Sequence, residues 1–357
     1  ALNTWGAPSV NMVYADTAGD ICWQAAAYVP QRTGWRGLMP VAGDGRYEWT
    51  GYMTAADLPA IVNPACGFVH SANEMNLPAT WDHTAHPVGF EWFEDGRANR
   101  IAHVISEGGA RDVAGNCALQ CDAFSQCAVD LVALLPTGGA AAALLQSWDG
   151  HANADSAPAL LFEVWLSLHL RPALLAQIAP DATLRAYLTP GNIPTVVRIL
   201  RGDLPDLMPA DRDALLADTL STAWQNVCDR FGDNPTEWRW GDLHKGYFDH
   251  ALTPLGGSAD VGPVATAGSS TTVMMGHYEA RDFRVRNGAS VRMVVDVGAW
   301  DNSVWINAPG QSGTPGVAHY DDLTALWAAG AYVPMLYSAP AVDAATRTLI
   351  KLVPQRG

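Results

Sequence analysis

The sequence predicts an α+β protein, because strand-like segments at both ends of the chain flank a helical middle. Residues 1–90 and 236–357 contain short β-branched and aromatic runs that glycine and proline turns separate. Residues 91–235 instead carry apolar side chains at helical spacing. We expect the two strand-rich ends to share one sheet system, with the mainly helical segment as an insertion.

The strand-rich ends begin with a predicted β-hairpin. Residues 10–15 and 21–28 are strand-like, and the turn between them contains Gly19, which can adopt positive φ. Near the other end, further strands are predicted at residues 283–285, 291–297, 305–307 and 332–336. A strand-like region at 261–275 precedes them, and a short helix is expected at 321–329.

Helix signals dominate the middle of the chain. Ala98, Ile101 and Ile105 follow the helical period within residues 96–106. The other predicted helices cover 117–135, which ends at Pro136, then 157–170, which runs to Pro172, and 209–231, which ends at Gly232. Residues 195–200 are short and β-branched, so their type is left undecided.

Composition limits the classes of function. The 357 residues are 49% hydrophobic and 16% charged, so the chain can bury a large core. With 21 basic and 36 acidic residues, the net charge of −15 argues against a nucleic-acid surface or an anionic membrane surface. The sequence has no run of about 18 apolar residues, so we predict no transmembrane helix. It starts at Ala1 without Met or a signal peptide, and we interpret it as a processed product or part of a longer chain.

The six cysteines could be buried free thiols, metal ligands or disulfide partners. Cys117 and Cys121 lie one helical turn apart, with Cys127 further along, so a three-cysteine metal site is one alternative. Neither a CxxC pair nor a histidine at ligand spacing accompanies them, and small buried hydrophobic residues are favoured. The even count also permits disulfides, whose pairing the sequence leaves open.

The stretch at residues 62–76 contains the first candidate for chemistry. The apolar pair Phe68-Val69 predicts a short strand that ends at Ser71-Ala72-Asn73. A side-chain amide at a strand end can donate an N–H to a developing oxyanion without titrating. The alternative is a loop asparagine that bonds its own backbone, and the local residues favour that alternative.

Arg97 is the second candidate, because it lies near the start of the helix that follows the Asn73 loop. A guanidinium group is a rigid multiple donor that can orient an amide or a carboxylate. The alternative is an ordinary surface arginine on a helix.

Other patterns give weaker hypotheses. The chain has no phosphate-binding glycine loop, HExxH or GxSxG motif. Ser312 could be a nucleophile, but the surrounding residues read better as a turn. The carboxylates of Asp321-Asp322 or Glu91 and Glu94 would suit a glycosidase, whereas solvated charges are the simpler interpretation. His244, which follows a tryptophan-rich segment, is expected to be structural.

Several sequence blocks together resemble one family, the penicillin acylases, which are N-terminal-nucleophile hydrolases. The resemblance matches the later part of their β chain, in order and over nearly the whole sequence. The blocks are VNMVYADTAGDI (10–21), YVPQR (28–32), WTGY (49–52), NPACGFVHSANE (63–74), GRANRI (96–101), LQCDAFS (119–125), EWRWGDLH (237–244), RMVVDVGAWDNS (292–303) and INAPGQSGTP (306–315) with HYDDL (319–323).

The resemblance implies an αββα sandwich and hydrolysis of an amide. The family's nucleophile is the N-terminal Ser of the β chain, its α-amino group is the base, and an Asn side chain with a backbone N–H forms the oxyanion hole. Asn73 matches that Asn, and Arg97 matches an Arg that helps to orient the site. Glu74 stands where many members have a second Asn, a departure expected to alter local hydrogen bonding. Val10 falls where an apolar residue lines the acyl pocket.

Resemblance also implies what the chain lacks. Ala1 cannot be the nucleophile, so we expect the nucleophile on a missing N-terminal part of the β chain, with a separate α chain as a further partner. The substrate would be a small N-acyl amide, penicillin-like or related, and the location periplasmic or secreted. The alternative function is a non-catalytic fragment or binding remnant of such an enzyme.

No cofactor is required by this chemistry, and a structural calcium ion is left open. Gly37 matches a backbone-carbonyl ligand of the family's calcium site, while Asp82 and Glu91 lie only near the matching carboxylate positions.

Overall fold

A computed structural model describes residues 4–188, 192–256 and 259–354. These residues combine helices and strands, as an α+β fold requires. The strands are β1 Val10–Ala15, β2 Ile21–Ala26, β3 Val29–Arg32, β4 Trp49–Met53, β5 Ala60–Val62, β6 Lys245–Phe248, β7 Val261–Ala265, β8 Gly276–Tyr278, β9 Arg284–Gly288, β10 Val291–Val294, β11 Val304–Asn307 and β12 Val333–Pro334. The helices are α1 Gly96–Ser106, α2 Val113–Gln120, α3 Gln126–Val132, α4 Gly139–Gln146, α5 Ala157–Val164, α6 Arg171–Ile178, α7 Ala182–Arg185, α8 Ile193–Arg201, α9 Arg212–Phe231, α10 Thr324–Ala328 and α11 Ala339–Ala345.

Four sheets form from these strands. The predicted hairpin is present, with β1 antiparallel to β2 from the pair Val10–Ala26 to the pair Ala15–Ile21, and β5 on the other side of β2. Strands β3 and β4 pair separately, and the later sheets have the orders β7-β6-β9-β8 and β10-β11-β12. Within the described residues each sheet takes its strands from one end of the chain, and the expectation of one shared sheet system stays a prediction. Short connections favour pairing between strands that are close in sequence.

The helical middle agrees with the predicted periodicity, with two differences. The predicted helix at 117–135 is interrupted, because Ser125 adopts an extended conformation and its hydroxyl accepts from Ala128 N as the N-cap of α3. The undecided residues 195–200 are helical and belong to α8. Asn192 caps α8 by accepting from Thr195 N, and a proline occupies its first turn, where no N–H is needed.

The stretch Ala157–Ile178 is helical throughout, since a π-helical segment, Trp165–Leu170, joins α5 to α6. By length and composition alone it could cross a membrane, with a mean hydropathy of 1.4. However, 56% of the hydropathy window is buried inside the fold. Phe162, Trp165 and Leu170 are fully enclosed by protein. This burial is typical of a core helix, and we interpret the stretch in that way.

Two compact units emerge from the pattern of contacts. The first contains residues 1–107, 125–150 and 169–221, and the second contains 108–124, 151–168 and 222–357. The unit boundaries divide the helical segment 91–235 between both units. The residues Asn73, Arg97 and Val10 all belong to the first unit.

His244 lies in the core of the second unit. Its ring is fully buried and stacks on Trp240, with the ring centroids 4.7 Å apart. The two ring nitrogens lie 2.8 Å from Thr266 O and 2.9 Å from Gly276 O. Burial lowers the pKa of His244, although both carbonyl contacts act in the opposite direction. The geometry is that of a structural histidine, as the sequence indicated.

Candidate functional site

The Asn73 loop is longer and less regular than expected. Residues 63–95 form no strand or helix, so Phe68-Val69 is not a strand and Asn73 does not end one. Asn73 is exposed and has a φ of 72°, in the left-handed region that asparagine tolerates better than most residues. Its carbonyl accepts a hydrogen bond from Phe93 N at 3.1 Å. This bond ties the Asn73 turn to the segment that enters helix α1.

Arg97 contacts Asn73 directly. Its Nη2 donates to Asn73 Oδ1 at 3.0 Å, across 24 positions of sequence. Arginine has donors only, so the atom that faces it must be the amide oxygen rather than the nitrogen. The contact therefore fixes the orientation of the amide and leaves Nδ2, the donor atom, on the other side.

Helix α1 carries Arg97, and a residue before its N-cap accepts a hydrogen bond from the backbone of its first turn. The N-cap Asp95 makes no side-chain capping bond, whereas Glu94 Oε2 accepts from Gly96 N at 2.6 Å. Burial is the largest cause that raises the pKa of Glu94, while the Gly96 N–H and the Arg97 charge oppose it. Burial, together with the Glu94 charge, also raises the pKa of Cys127 to about 12. Glu94 thus supports the start of α1, and Cys127 Sγ lies 3.9 Å from its Oε2.

The N-terminal hairpin approaches the same loop through polar contacts. Asn11 Oδ1 accepts from Trp23 Nε1 at 3.0 Å and from Asn76 Nδ2 at 3.3 Å. Asn76 Nδ2 also donates to Ser71 Oγ at 3.0 Å. Val10 is the half-buried neighbour of Asn11 at the start of β1. The structure thus brings the strand of Val10 to the Asn73 loop, and the acyl-pocket role of Val10 stays a prediction.

Glu74, the departure noted in the sequence, is buried beside Asn73. Its Oε2 accepts from Ala72 N at 2.6 Å, and its Oε1 lies 3.7 Å from His70 Nδ1. The exposed fraction of Glu74 is only 8%. The carboxylate is therefore turned inward, away from the exposed amide of Asn73.

The residues named for calcium lie in local loop structures, and a structural calcium ion stays a prediction. Asp82 Oδ1 accepts from Thr84 N and Ala85 N, both at 3.0 Å, and so closes its own turn. Glu91 is exposed, and Gly37 lies in another loop. Across residues 4–188, 192–256 and 259–354, no group of three or more His, Cys, Asp or Glu side chains is placed to hold a metal ion.

The other candidates for chemistry occupy local structures. Ser312 Oγ accepts from Thr314 N at 3.1 Å, which is a turn contact. His319 Nδ1 lies 2.7 Å from Asp322 Oδ2, so that carboxylate has a neighbour three residues away. All six cysteines are free thiols, and Cys127 and Cys228 are buried. Ala1 lies outside the described residues.

Replacing Glu94 by Gln should change the pH dependence of stability. The native fold raises the pKa of this carboxyl, so it favours the protonated form, and its favourable contribution is complete below the usual value of 4.5. That contribution disappears as pH rises through the raised pKa. We expect the melting temperature of Glu94→Gln, relative to the unmodified protein, to increase between about pH 4 and pH 7.

The control for this prediction is Glu91→Gln, since Glu91 is an exposed carboxyl from the same loop. Its melting temperature relative to the unmodified protein should not change over that pH range. A flat or decreasing difference for Glu94→Gln would contradict the assignment of a half-buried, proton-favouring carboxyl at the start of α1.

Comparison with known proteins identifies the family. The family described as penicillin amidase matches residues 1–344, which is nearly the whole chain. The solved structure of a thermostable penicillin G acylase from Alcaligenes faecalis superimposes with a TM-score of 0.64, covering 98% of this chain and 68% of that one. At 18% sequence identity this likeness shows the fold alone. The fold is thus of the α+β class and similar to that of this solved structure. The chain belongs to the penicillin amidase family.

Curated relatives carry two kinds of acylase name. The penicillin acylase 2 proenzyme of Pseudomonas sp. (strain SE83) is 30% identical over 99% of this chain and 47% of its own length. The acyl-homoserine lactone acylase QuiP of Pseudomonas syringae pv. syringae is 27% identical over 91% of this chain and 43% of its own length. The chain therefore spans somewhat less than half the length of these relatives.

Sequence reasoning missed the role of one residue beside the Asn73–Arg97 pair and left the role of another unspecified. Glu94 was considered only as half of a glycosidase pair, and its bond to Gly96 N was not foreseen. The backbone contact of Glu74 was foreseen only as an unspecified change. The sequence does contain a signal for the Glu94 contact. An acidic residue just before a helix favours such a bond, because the first backbone N–H groups of a helix need acceptors.

Proposed function

We propose that this chain is part of an acylase that hydrolyses a small N-acyl amide, and that it supplies the oxyanion donor Asn73. The nucleophile would come from a polypeptide segment outside these 357 residues. Family membership supports amide hydrolysis, and the names of the relatives suggest penicillin-like amides or acyl-homoserine lactones as substrates. The observation that carries the proposal is the hydrogen bond from Arg97 Nη2 to Asn73 Oδ1.

The chemistry assigned to Asn73 follows from the electron movement of acyl transfer. When a hydroxyl nucleophile attacks the acyl carbon, the carbonyl π electrons move to oxygen and create an oxyanion. Asn73 Nδ2 would donate to that oxygen while Arg97 holds Oδ1, so the donor need not reorganise as charge develops. Collapse of the intermediate expels the amine, and water then releases the carboxylic acid.

Arg97 contributes through charge as well as orientation. Its contact with Oδ1 polarises the amide, which increases the positive character of the Nδ2 protons and strengthens donation to an anion. The Nε–H of Arg97 is buried and donates to no partner among the described residues. A guanidinium that is buried at Nε and bonded at Nη2 has little freedom to move away from Asn73.

The first test compares this chain with the assembled enzyme. The chain alone should not hydrolyse a chromogenic phenylacetyl or fatty-acyl amide. The same chain, produced with the polypeptide that supplies the nucleophile, should hydrolyse at least one of them. Turnover by the isolated chain would contradict a nucleophile located elsewhere. An assembled, folded enzyme that is inactive on both amides would favour the alternative, a non-catalytic remnant.

Location and processing belong to the same proposal. A periplasmic or secreted location, a proenzyme that is cleaved, and association with a separate α chain all remain predictions. Fractionation of the producing cells, followed by mass determination of the purified chains, measures the three together. Recovery of the active enzyme as one uncleaved cytoplasmic polypeptide would contradict them.

A further inference from the structure

Glu74 forms a short bridge across the backbone of Asn73. Its carboxylate Oε2 accepts from Ala72 N at 2.6 Å, so the bond joins the residues on either side of Asn73. The carbonyl of Glu74 accepts from Asn76 N at 2.8 Å, which closes the next part of the turn. The first bond thus spans Asn73, and the second fixes the backbone directly after Glu74.

The conformation of Asn73 needs such support. Its φ of 72° lies in the left-handed region, which costs free energy for any residue with a Cβ atom. Relaxation of φ to the negative region would swing the Cα–Cβ bond and carry the amide away from Arg97. A charge-assisted bond such as the one from Ala72 N to the Glu74 carboxylate is stronger than a bond between neutral groups. It therefore opposes this relaxation.

Burial separates Glu74 from the substrate side. Its exposed fraction is 8%, whereas Asn73 is exposed. The second carboxylate oxygen faces His70 Nδ1 at 3.7 Å, and the His70 ring stacks on Phe68 with centroids 5.9 Å apart. The stacking on Phe68 orients the His70 ring so that Nδ1 faces the buried carboxylate. This arrangement supports the turn and leaves no oxygen directed at a reacting group.

We propose that Glu74 is a positioning residue, which holds Asn73 in the left-handed conformation that presents its amide to Arg97 and to the acyl oxygen. The inference rests on the proposed function of Asn73. It explains why an acidic residue can replace the second asparagine of the family pattern: a carboxylate at this position reaches back to Ala72 N. Glu74 itself transfers no proton and touches no substrate.

The test is a double-mutant cycle in the assembled enzyme. Glu74→Gln keeps an acceptor of the same length, whereas Glu74→Met removes the acceptor at nearly the same length. We expect Glu74→Met to lower kcat by roughly tenfold or more with little change in KM, since a small misplacement of a catalytic group is costly. Glu74→Gln should retain most of the activity.

The second arm repeats Glu74→Met in an Asn73→Ala background. If Glu74 acts through Asn73, Glu74→Met should lower the kcat of the Asn73→Ala enzyme by less than about a further twofold. The effects of interacting residues are not additive. An equal fold-loss in both backgrounds, or no loss in the unmodified background, would overturn the inference. If Glu74→Met fails to fold, Glu74→Asp replaces it in the double-mutant cycle, because the shorter side chain cannot reach Ala72 N as well. The same loss of kcat in the unmodified background, and little further loss with Asn73→Ala, is then expected.

Controls keep this inference distinct from the proposed function. Glu91→Met changes an exposed glutamate of the same loop and should leave kcat unchanged. If Asn73→Ala alone leaves kcat near normal, the proposed function fails before Glu74 is considered. If Asn73→Ala is severely impaired while Glu74→Met is fully active, only the inference about Glu74 fails.

Discussion

Asn73→Ala in the assembled enzyme should lower kcat by about 10²–10³-fold, which is the usual cost of losing one oxyanion donor. The KM should change little, because the amide acts most strongly on the charge that develops in the transition state. Asn73→Asp should be equally impaired. Aspartate keeps the shape and the Arg97 contact but has no N–H to donate.

Steady-state kinetics on one N-acyl amide measures both variants. The matched control is Asn99→Ala, since Asn99 is an exposed asparagine on helix α1, two residues from Arg97. It should retain normal kcat. Near-normal turnover by Asn73→Ala, or an Asn73→Asp enzyme much more active than Asn73→Ala, would be incompatible with a donor role for Nδ2.

Arg97→Met should have the second-largest effect. A hydrogen bond that involves a charged group contributes about 1.5–3 kcal/mol, so loss of the contact with Asn73 Oδ1 should reduce kcat by roughly 10- to 100-fold. Without Arg97 the amide can rotate and exchange the places of its oxygen and nitrogen. Arg97→Lys should be intermediate, because an ammonium group is a point charge without the rigid fork of guanidinium.

Arg36→Met provides the control for Arg97, since it removes an exposed arginine from another loop. Its kcat should remain normal. The double variant Asn73→Ala with Arg97→Met should be about as slow as Asn73→Ala alone, because Arg97 is expected to act mainly through the amide. Multiplication of the two separate losses would instead indicate that Arg97 contacts the substrate independently.

Local sequence signals predicted the elements that local physics controls. The bounds of α1 agree with the apolar periodicity of residues 96–106, and the hairpin of β1 and β2 agrees with the glycine turn at Gly19. The interruption between α2 and α3 was missed because Ser125 was read as part of a continuous helix. A serine side chain that accepts from a backbone N–H three residues later favours a helix start at that point.

The candidate site depended on information that local patterns do not contain. Asn73 and Arg97 meet across 24 positions, through a loop without regular structure, so no periodicity indicates the contact. The local residues made both only candidates, the ordered family resemblance favoured them, and the structure shows their hydrogen bond. The role of Glu74 required the coordinates, because a glutamate in a loop is ordinarily a solvated charge. Only its burial and its bond to Ala72 N distinguish it.

The most direct measurement is a crystal structure of the assembled enzyme with a phosphonate or boronate analogue of the tetrahedral intermediate. The account predicts Asn73 Nδ2 at about 2.7–3.1 Å from the analogue oxygen that represents the oxyanion. Arg97 should still donate to Oδ1 on the other side of the amide. An analogue oxygen bound by other donors, with the Asn73 side chain turned away from it, would contradict the account.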